Sequence, residues 1–220
     1  MCVFDVNETM LDLRVLEPRF ERVFGDASVR QAWFQQLLQS ALVATVTSAY
    51  ADFGTIGRAA LEMTAARRGV QLSEDDRTLI LGGMRELPAY PEVRASLERL
   101  RGAGLRLAAL TNSTAEVCEA QLRHAGLRDL FEQALSADDV KRLKPAPEPY
   151  RMAAERMGVE VDQIRMVAAH AWDIAGALRA GCAAAFVARP NMVLDPLVDR
   201  PDVVGADLGE VAEQILERER

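Results

Sequence analysis

Short apolar runs alternate with helical segments along most of the chain, and this alternation restricts the possible folds more than any other feature. Runs of strand length lie at 2–6, 106–111, 164–169 and 184–188, and a shorter one, QALS, lies at 133–136. Segments with apolar residues at helical spacing separate most of them. Strands that alternate with helices form parallel sheets covered on both faces. We therefore predict an α/β fold with a parallel sheet.

The region between the first two predicted strands lacks this alternation. Two stretches in it, 29–50 and 56–69, have apolar residues at helical spacing, and no convincing strand accompanies them. We predict an all-helical insertion after the first strand. Residues 1–13 and 91–220 would then form the core domain, and residues 14–90 would form a helical cap domain.

Composition and charge exclude several classes of protein. The chain of 220 residues has a net charge of −7 and no basic stripe, which argues against a nucleic-acid partner. No segment reaches the roughly 18 apolar residues of a membrane span, and no charged leader precedes an apolar stretch. The three cysteines lie far apart, which favours free thiols in a reducing compartment. We expect a cytoplasmic protein that binds neither nucleic acid nor membrane.

Chemically useful side chains follow the predicted strands. They are Asp5, Thr111, Asn112, Lys144, His170, Trp172 and Asp173. Ligands bind beyond the carboxyl ends of the strands in open parallel sheets, so we predict that these residues converge on one end of the sheet. Each also has an ordinary structural explanation: an acid or a hydroxyl after a strand often caps a helix, and a loop lysine is usually solvated.

Four motifs, which occur in order across the whole chain, resemble those of the haloacid dehalogenase superfamily and, within it, of the L-2-haloacid dehalogenases (type II). The motifs are FDVNETMLD, LTNST, KPAPEPY and VAAHAWDIAGA. The resemblance implies a Rossmann-like core with a helical cap inserted after the first strand. It also implies a short halogenated carboxylic acid as the substrate, with no metal and no cofactor. Relatives are often dimers, so the resemblance is compatible with a homodimer.

The resemblance also implies roles for the matching residues. Asp5 would be the nucleophile that forms an ester with the substrate, and water would hydrolyse this ester. Lys144 would keep Asp5 ionised. Asp173 would position the water, although an acid in a first helical turn also has a purely structural use. The residues implied in substrate binding are Thr9, Phe34, Thr111, Asn112, Tyr150, His170 and Trp172. For Thr9 helix capping competes, and for Trp172 core packing is an equal alternative.

Two positions favour carbon over phosphorus as the target of Asp5. Phosphatases of the superfamily carry a second aspartate as general acid where this chain has Asn7, an amide that cannot transfer a proton usefully. They also hold Mg²⁺ with an aspartate pair, whose first position is Ala169 here. Displacement of halide requires neither group, because halide leaves as a stable anion. The alternatives are a Mg²⁺-dependent phosphatase and a non-catalytic binding protein of the same superfamily.

Two departures from the family pattern leave the substrate's binding groups open. Phe34 stands where the family has the arginine that binds the substrate carboxylate. Candidates for a replacement are Arg14, Arg19 and Arg30. His170 replaces a family asparagine, and it could be structural, bind the leaving halide, orient the hydrolytic water or hold the carboxylate. A site without a guanidinium would suit a substrate as small as a haloacetate.

Overall fold

Six parallel strands form one sheet in the computed structural model, which describes residues 1–218. In chain order the strands are β1 (Cys2–Phe4), β2 (Leu107–Thr111), β3 (Gln133–Ser136), β4 (Arg165–Ala168), β5 (Ala183–Val187) and β6 (Val203–Gly205). Their order across the sheet is β3-β2-β1-β4-β5-β6. The predicted α/β fold is therefore confirmed. Because β1 pairs with both β2 and β4, the residues that follow these three strands meet near the middle of one sheet edge.

The central strands are buried on both faces of the sheet. Phe4 of β1 and Val167 of β4 belong to one apolar cluster. The adjacent residue Val3, with Leu110 of β2, belongs to a second cluster on the opposite face. Successive side chains of a strand point to opposite faces, so a strand covered on both sides needs a continuous apolar run. This explains why such runs, and not alternating patterns, mark the strands in the sequence.

Nine α-helices lie within residues 1–218. They are α1 (Glu17–Phe24), α2 (Val29–Val46), α3 (Phe53–Arg68), α4 (Glu74–Gly82), α5 (Val93–Gly102), α6 (Ala115–His124), α7 (Pro147–Met157), α8 (Ala171–Ala180) and α9 (Leu208–Arg218). Among these described helices, none combines the length and the apolar composition that a membrane span requires.

Helices α1 to α4 follow one another between β1 and α5 with no strand among them. Within this region α2 and α3 pack closely, and Trp33 Nε1 donates to the carbonyl of Gly57 at 3.0 Å. A Cβ atom at Gly57 would lie 3.1 Å from Leu37 Cδ1, so glycine permits this close approach. The helical region lies where the cap was predicted, and the division into two domains, with 14–90 as the cap, remains a prediction.

The last strand and the last helix, β6 and α9, are absent from the sequence-based prediction. β6 has only three residues and lies at the edge of the sheet, where it pairs with β5 alone. β1 is equally short, but it lies in the middle of the sheet and belongs to a longer apolar run; at the edge, strand character depends on the single partner strand.

Candidate active site

Asp5 follows β1 directly and lies in the middle of the carboxyl edge of the sheet. Its backbone N–H donates to the carbonyl of Val167 at 3.0 Å, which extends the pairing with β4 by one bond. The residue is only 5 % exposed. Two side chains from other strand ends contact Asp5: Lys144, from the segment after β3, and His170, which follows β4.

Lys144 lies between two carboxylates. Its Nζ is 2.9 Å from Asp5 Oδ1 and 2.6 Å from Asp173 Oδ2, and it donates to the carbonyl of Leu110 at 3.0 Å. An ammonium group has three hydrogens, so each has an acceptor. Lys144 is also buried, at 1 % exposure. It therefore holds the two acids in place and has no N–H left for a ligand.

Opposing effects set the charges of this cluster. Burial would raise the pKa of Asp5, but the positive charges of Lys144 and His170 and the hydroxyl of Thr9 lower it below its usual value. Burial would lower the pKa of Lys144, and the charges of Asp173 and Asp5 raise it. Burial raises the pKa of Asp173, and the attraction of Lys144 offsets this only in part. We infer that Asp5 and Lys144 are both ionised at neutral pH.

Two hydroxyl groups fix the orientation of the acids. The hydroxyl of Tyr150 donates to Asp173 Oδ1 at 2.6 Å, so both carboxylate oxygens of Asp173 have a partner. Thr9 Oγ1 donates to Asp5 Oδ2 at 2.6 Å and accepts from the N–H of Ala169 at 2.9 Å. A Cβ atom at Gly176 would lie 2.6 Å from the Tyr150 hydroxyl, so glycine is required there.

Asn112 holds the backbone of Lys144. Its Oδ1 accepts from the N–H of Lys144 at 2.8 Å, and its Nδ2 donates to the Lys144 carbonyl at 3.3 Å. The neighbouring Thr111 accepts from the N–H of Ser113 at 3.2 Å. Each of these two predicted substrate-binding residues thus also has a structural role.

A small cavity of about 10 Å³ lies beside Asp5. Its lining residues are Asp5, Asn7, Phe34, Leu38, Phe53, Thr111, Asn112, His170 and Trp172. The core loops supply the floor and one wall, and Phe34 and Leu38 of α2 with Phe53 of α3 supply the cover. This volume accommodates roughly one water molecule. Of the predicted substrate-binding residues, Thr9 and Tyr150 do not line the cavity; they contact the two acids.

A second cavity of about 300 Å³ lies on the other side of a thin partition. Phe34, Leu38, His170 and Trp172 line both cavities and therefore form this partition. The His170 ring stacks on Trp172, with ring centroids 5.1 Å apart, and lies 6.4 Å from Phe34. The partition is thus mostly aromatic.

His170 lies between two carboxylates. Its Nδ1 is 3.5 Å from Asp5 Oδ2, and its Nε2 is 3.1 Å from Glu8 Oε2. Burial would lower the pKa of His170, but the contacts with Asp5 and Glu8 raise it to about 9. The ring therefore carries a positive charge at neutral pH. It is the cationic side chain that lines the small cavity.

Glu8 is a site residue that the sequence analysis missed. Its Oε1 accepts from Arg30 at 3.0 Å, and its Oε2 faces His170. The backbone φ of Glu8 is +61°, an uncommon value for a residue other than glycine. The available signal was an acid in the first motif, three residues after Asp5. Its link to His170 depends on a contact between residues far apart in the chain.

The three arginines considered as replacements for the family's clamp all pair with acids. Arg14 binds Asp12 at 2.7 Å, Arg19 binds Glu86 at 2.5 Å, and Arg30 binds Glu8. None of the three lines the small cavity.

Two buried nitrogens beside the cavity have no hydrogen-bond partner within residues 1–218. They are Trp172 Nε1 and His170 Nδ1, whose 3.5 Å contact with Asp5 Oδ2 is an ion pair without hydrogen-bond geometry. Buried donors are normally satisfied, so an acceptor from a bound anion or water would complete both groups.

The acids do not fit a divalent cation. The space between Asp5 and Asp173 is taken by the ammonium group of Lys144, and Ala169 has no side-chain oxygen. Within residues 1–218, no group of three or more His, Cys, Asp or Glu side chains is arranged to hold a metal ion.

Comparisons with known proteins identify the family. A model of haloacid dehalogenase-like hydrolases matches residues 1–181. (S)-2-haloacid dehalogenase 4A of Burkholderia cepacia is 35 % identical over 185 residues, which cover 82 % of this chain and 79 % of the relative. Haloacetate dehalogenase H-2 of Moraxella sp. (strain B) is 28 % identical over 203 residues, which cover 90 % of each chain.

A solved structure supports the same assignment. The L-2-haloacid dehalogenase of Xanthobacter autotrophicus with chloropropionic acid covalently bound superimposes with a TM-score of 0.91. Its sequence is 25 % identical, and the match covers 97 % of both chains. The chain therefore belongs to the haloacid dehalogenase-like hydrolase family.

Proposed function

We propose that this protein is a hydrolytic dehalogenase that removes halide from short 2-haloacids through an ester on Asp5, without a metal. The observation that carries the proposal is the ammonium group of Lys144, which bridges Asp5 and Asp173 at 2.9 and 2.6 Å. It keeps the nucleophile ionised and takes the place that a divalent cation would need. The similarity to (S)-2-haloacid dehalogenases supports the same reaction.

In the first step, an oxygen of Asp5 attacks the carbon that carries the halogen. A new C–O bond forms, the carbon–halogen bond breaks, and the halide leaves with the electron pair. Thr9 and Lys144 each occupy one lone pair of the carboxylate, and a carboxylate has about four acceptor sites, so a lone pair remains for attack. The product of this step is a neutral ester on Asp5.

In the second step, water attacks the ester carbonyl and His170 takes the proton. Ester formation removes the negative charge of Asp5, which is one of the two groups that raise the pKa of His170. The ring then releases its proton to solvent more readily and becomes a base. Glu8, 3.1 Å away, stabilises the imidazolium that forms again when water is deprotonated. The intermediate then collapses: the bond between the Asp5 carbonyl carbon and the oxygen of the former substrate breaks, and the leaving alkoxide takes the proton of the His170 imidazolium. The products are a 2-hydroxyacid and Asp5, which loses its remaining proton and becomes a carboxylate again.

The roles proposed for the other residues follow from their contacts. Both oxygens of Asp173 are engaged, by Lys144 and Tyr150, so we assign Asp173 to the positioning of Lys144 and not to direct contact with water. Trp172 and Phe34 enclose the substrate. Phe34 belongs to the proposed cap at 14–90, which would exclude bulk water from the reaction.

The size of the cavity favours a haloacetate as substrate. The volume of about 10 Å³ accommodates roughly one water molecule, so any substrate must displace the cover formed by Phe34, Leu38 and Phe53, and a haloacetate, the smallest 2-haloacid, requires the least displacement. A relative named haloacetate dehalogenase H-2 covers 90 % of this chain, which supports the same substrate class.

Halide release from a panel of acids tests the proposal. The panel contains chloroacetate, bromoacetate, fluoroacetate and L-2-chloropropionate, each with and without a chelator. We expect halide release that the chelator does not change and that Asp5→Asn abolishes. Absence of release across the panel, or activity that the chelator removes, would contradict the proposal.

A further inference from the structure

The substrate proposed above is an anion, and its carboxylate needs hydrogen-bond donors inside the small cavity. All three hydrogens of Lys144 have acceptors within the protein, and the amide of Asn112 donates one of its two hydrogens to the Lys144 carbonyl, which leaves one N–H of Asn112 for a ligand. None of the three candidate arginines reaches the cavity. A further neutral donor on the cavity floor is Asn7, which is 5 % exposed and lines the cavity.

The direction of the Asn7 amide follows from a chain of contacts. Gln121 Nε2 lies 2.7 Å from the carbonyl oxygen of Met84, and a carbonyl oxygen can only accept. The atom of Gln121 at that position must therefore be the donor nitrogen. The same nitrogen lies 3.0 Å from Asn7 Oδ1, so it also donates to Asn7. Because Gln121 is completely buried, this arrangement is shielded from water.

The oxygen of the Asn7 amide is thus held by Gln121, which does not line the cavity, and the nitrogen is the polar atom of this side chain that is left for a ligand. Asn7 Nδ2 lies 3.4 Å from Ser113 Oγ, which accounts for one of its two hydrogens. The second hydrogen has no protein acceptor among the hydrogen bonds of the described chain. An amide nitrogen with a spare hydrogen at the wall of a cavity is a fixed donor for an anion.

We propose that Asn7 binds the carboxylate of the substrate, and that Gln121 is the positioning residue that turns the Asn7 donor toward it. This inference rests on the proposed dehalogenation. Attack by Asp5 in line with the carbon–halogen bond places the halide away from Asp5, toward the apolar cover of Phe34, Leu38 and Phe53. The carboxylate lies to the side of this axis. Asn7, two residues after Asp5 on the same loop, lines the cavity, and we assign it to the carboxylate on that side.

Substitution at Asn7 tests the donor directly. Asn7→Asp keeps the size of the side chain and the oxygen that accepts from Gln121, and it replaces the donor nitrogen with an acceptor. We measure the Kd of acetate and of glycolate by calorimetry, because both carry the carboxylate and neither carries a halide. The affinity for both should fall at least about tenfold, since hydrogen bonds to charged groups contribute that much.

Substitution at Gln121 tests the positioning role from outside the cavity. A carboxyl oxygen carries at most one proton. In Gln121→Glu the protonated carboxyl oxygen uses this proton to donate a hydrogen bond to the carbonyl of Met84. The same oxygen must then accept from Asn7, so the Asn7 amide rotates and presents its oxygen to the cavity. We expect a loss of acetate affinity close to that of Asn7→Asp, with thermal unfolding recorded to show that the variant is folded. Should Gln121→Glu not fold, Asn7→Asp decides alone.

Ser113→Ala is the matched control. It removes the other partner of the same Asn7 nitrogen but leaves the contact with Gln121 intact. Acetate affinity should change less than about threefold, because the amide keeps its direction.

The outcomes separate this inference from the proposed reaction. Unchanged acetate affinity in Asn7→Asp would overturn the inference, whether or not the wild type releases halide. A weaker affinity for chloride with unchanged affinity for acetate would also overturn it, because Asn7 would then bind the halide. Acetate binding that depends on Asn7 in a protein that releases no halide would support the carboxylate site and contradict the dehalogenation.

Discussion

Two sides of the same site differ in how completely their polar groups are partnered. Around Lys144, every ammonium hydrogen and both oxygens of Asp173 have a hydrogen-bond partner. Beside the cavity, Trp172 Nε1 has no hydrogen bond within residues 1–218, and His170 Nδ1 has only its ion pair with Asp5, at 3.5 Å. A buried network in which every polar group is hydrogen-bonded holds a fixed geometry. Buried donors without a hydrogen bond to the protein are available to bind a ligand. On our account the first side prepares the nucleophile and the second side receives the substrate.

The largest expected effect comes from a substitution in the fully hydrogen-bonded network around Lys144. Lys144→Met removes the cation between two buried carboxylates and leaves them uncompensated. We expect the free energy of unfolding to fall by about 3–5 kcal/mol and halide release to fall by about 10³-fold or more. Chemical denaturation and an assay of halide release measure the two effects.

The chain offers a matched control for this change. Lys141 is the only other lysine, and its side chain is 62 % exposed. Lys141→Met should change both quantities little, because exposed ion pairs contribute at most about 1 kcal/mol. Equal effects of the two substitutions would remove the distinction between the two sides of the site.

The next effect concerns the cavity side, where His170 is the proposed base. His170→Asn should slow ester hydrolysis by about 10²- to 10⁴-fold while the first burst of halide remains at saturating substrate, because the base acts only in the second step and the loss of the ring's charge weakens substrate binding alone. Rapid-quench measurement of halide release checks this expectation. His124→Asn, at the only other histidine, is the control. Loss of the burst itself would place His170 in the first step instead.

A smaller effect is expected at the partition between the two cavities. Phe34→Ala should join them and raise kcat/KM for L-2-chloropropionate relative to chloroacetate by about tenfold, the order associated with one additional carbon. Leu37→Ala, on the same helix and buried but outside both cavities, should lower stability without changing this ratio. An unchanged ratio in Phe34→Ala would show that the partition does not limit substrate size.

The smallest effect is a shift in pH dependence. The His170 ring, with its pKa raised to about 9, attracts the anionic substrate while it is protonated, so kcat/KM should fall as the pH rises through about 9. Glu8→Gln removes one of the two carboxylates that raise this pKa, and the fall should move to lower pH by about one unit.

Glu17→Gln is the control for this shift, because Glu17 also pairs with Arg30, at 3.4 Å, and does not contact His170 in the described network. A pH profile that Glu8→Gln leaves in place would contradict the pairing of His170 with Glu8.

The free energy of unfolding should also depend on the protonation of His170. A pKa raised on folding means that the folded state binds the proton more tightly, so this contribution is complete below about pH 6.5 and is lost as the pH rises through about 9. The free energy of unfolding should therefore decline over this interval, and His170→Asn should reduce the decline. Denaturation at several pH values measures it.

The fold could be predicted wherever a buried strand appears in the sequence as a short apolar run. β2 and β4 are apolar because both faces are covered, and the residues that follow them are polar because they end at a cleft. β6 shows no such run, since three residues at a sheet edge become a strand only through pairing with β5.

The site could be predicted less completely, because contacts between distant residues decide what each side chain does. Asp5 and Lys144 were identifiable from their motifs, and their predicted roles await experiment. Glu8 was not identified, since its contact with His170 spans 162 residues of sequence. The orientation of Asn7 by Gln121 likewise depends on packing between the loop after β1 and α6.

The most direct test of the central claim is the mass of the N-terminal peptide after reaction with chloroacetate. In His170→Asn, quenched within the first turnover, we predict one added carboxymethyl group on Asp5, which alkaline hydroxylamine removes as it does other esters. Cys2 lies in the same peptide, and alkylation there would give a thioether that hydroxylamine leaves intact, so fragmentation must locate the group. Halide release without any modification of Asp5, or with a hydroxylamine-resistant adduct elsewhere, would contradict the account.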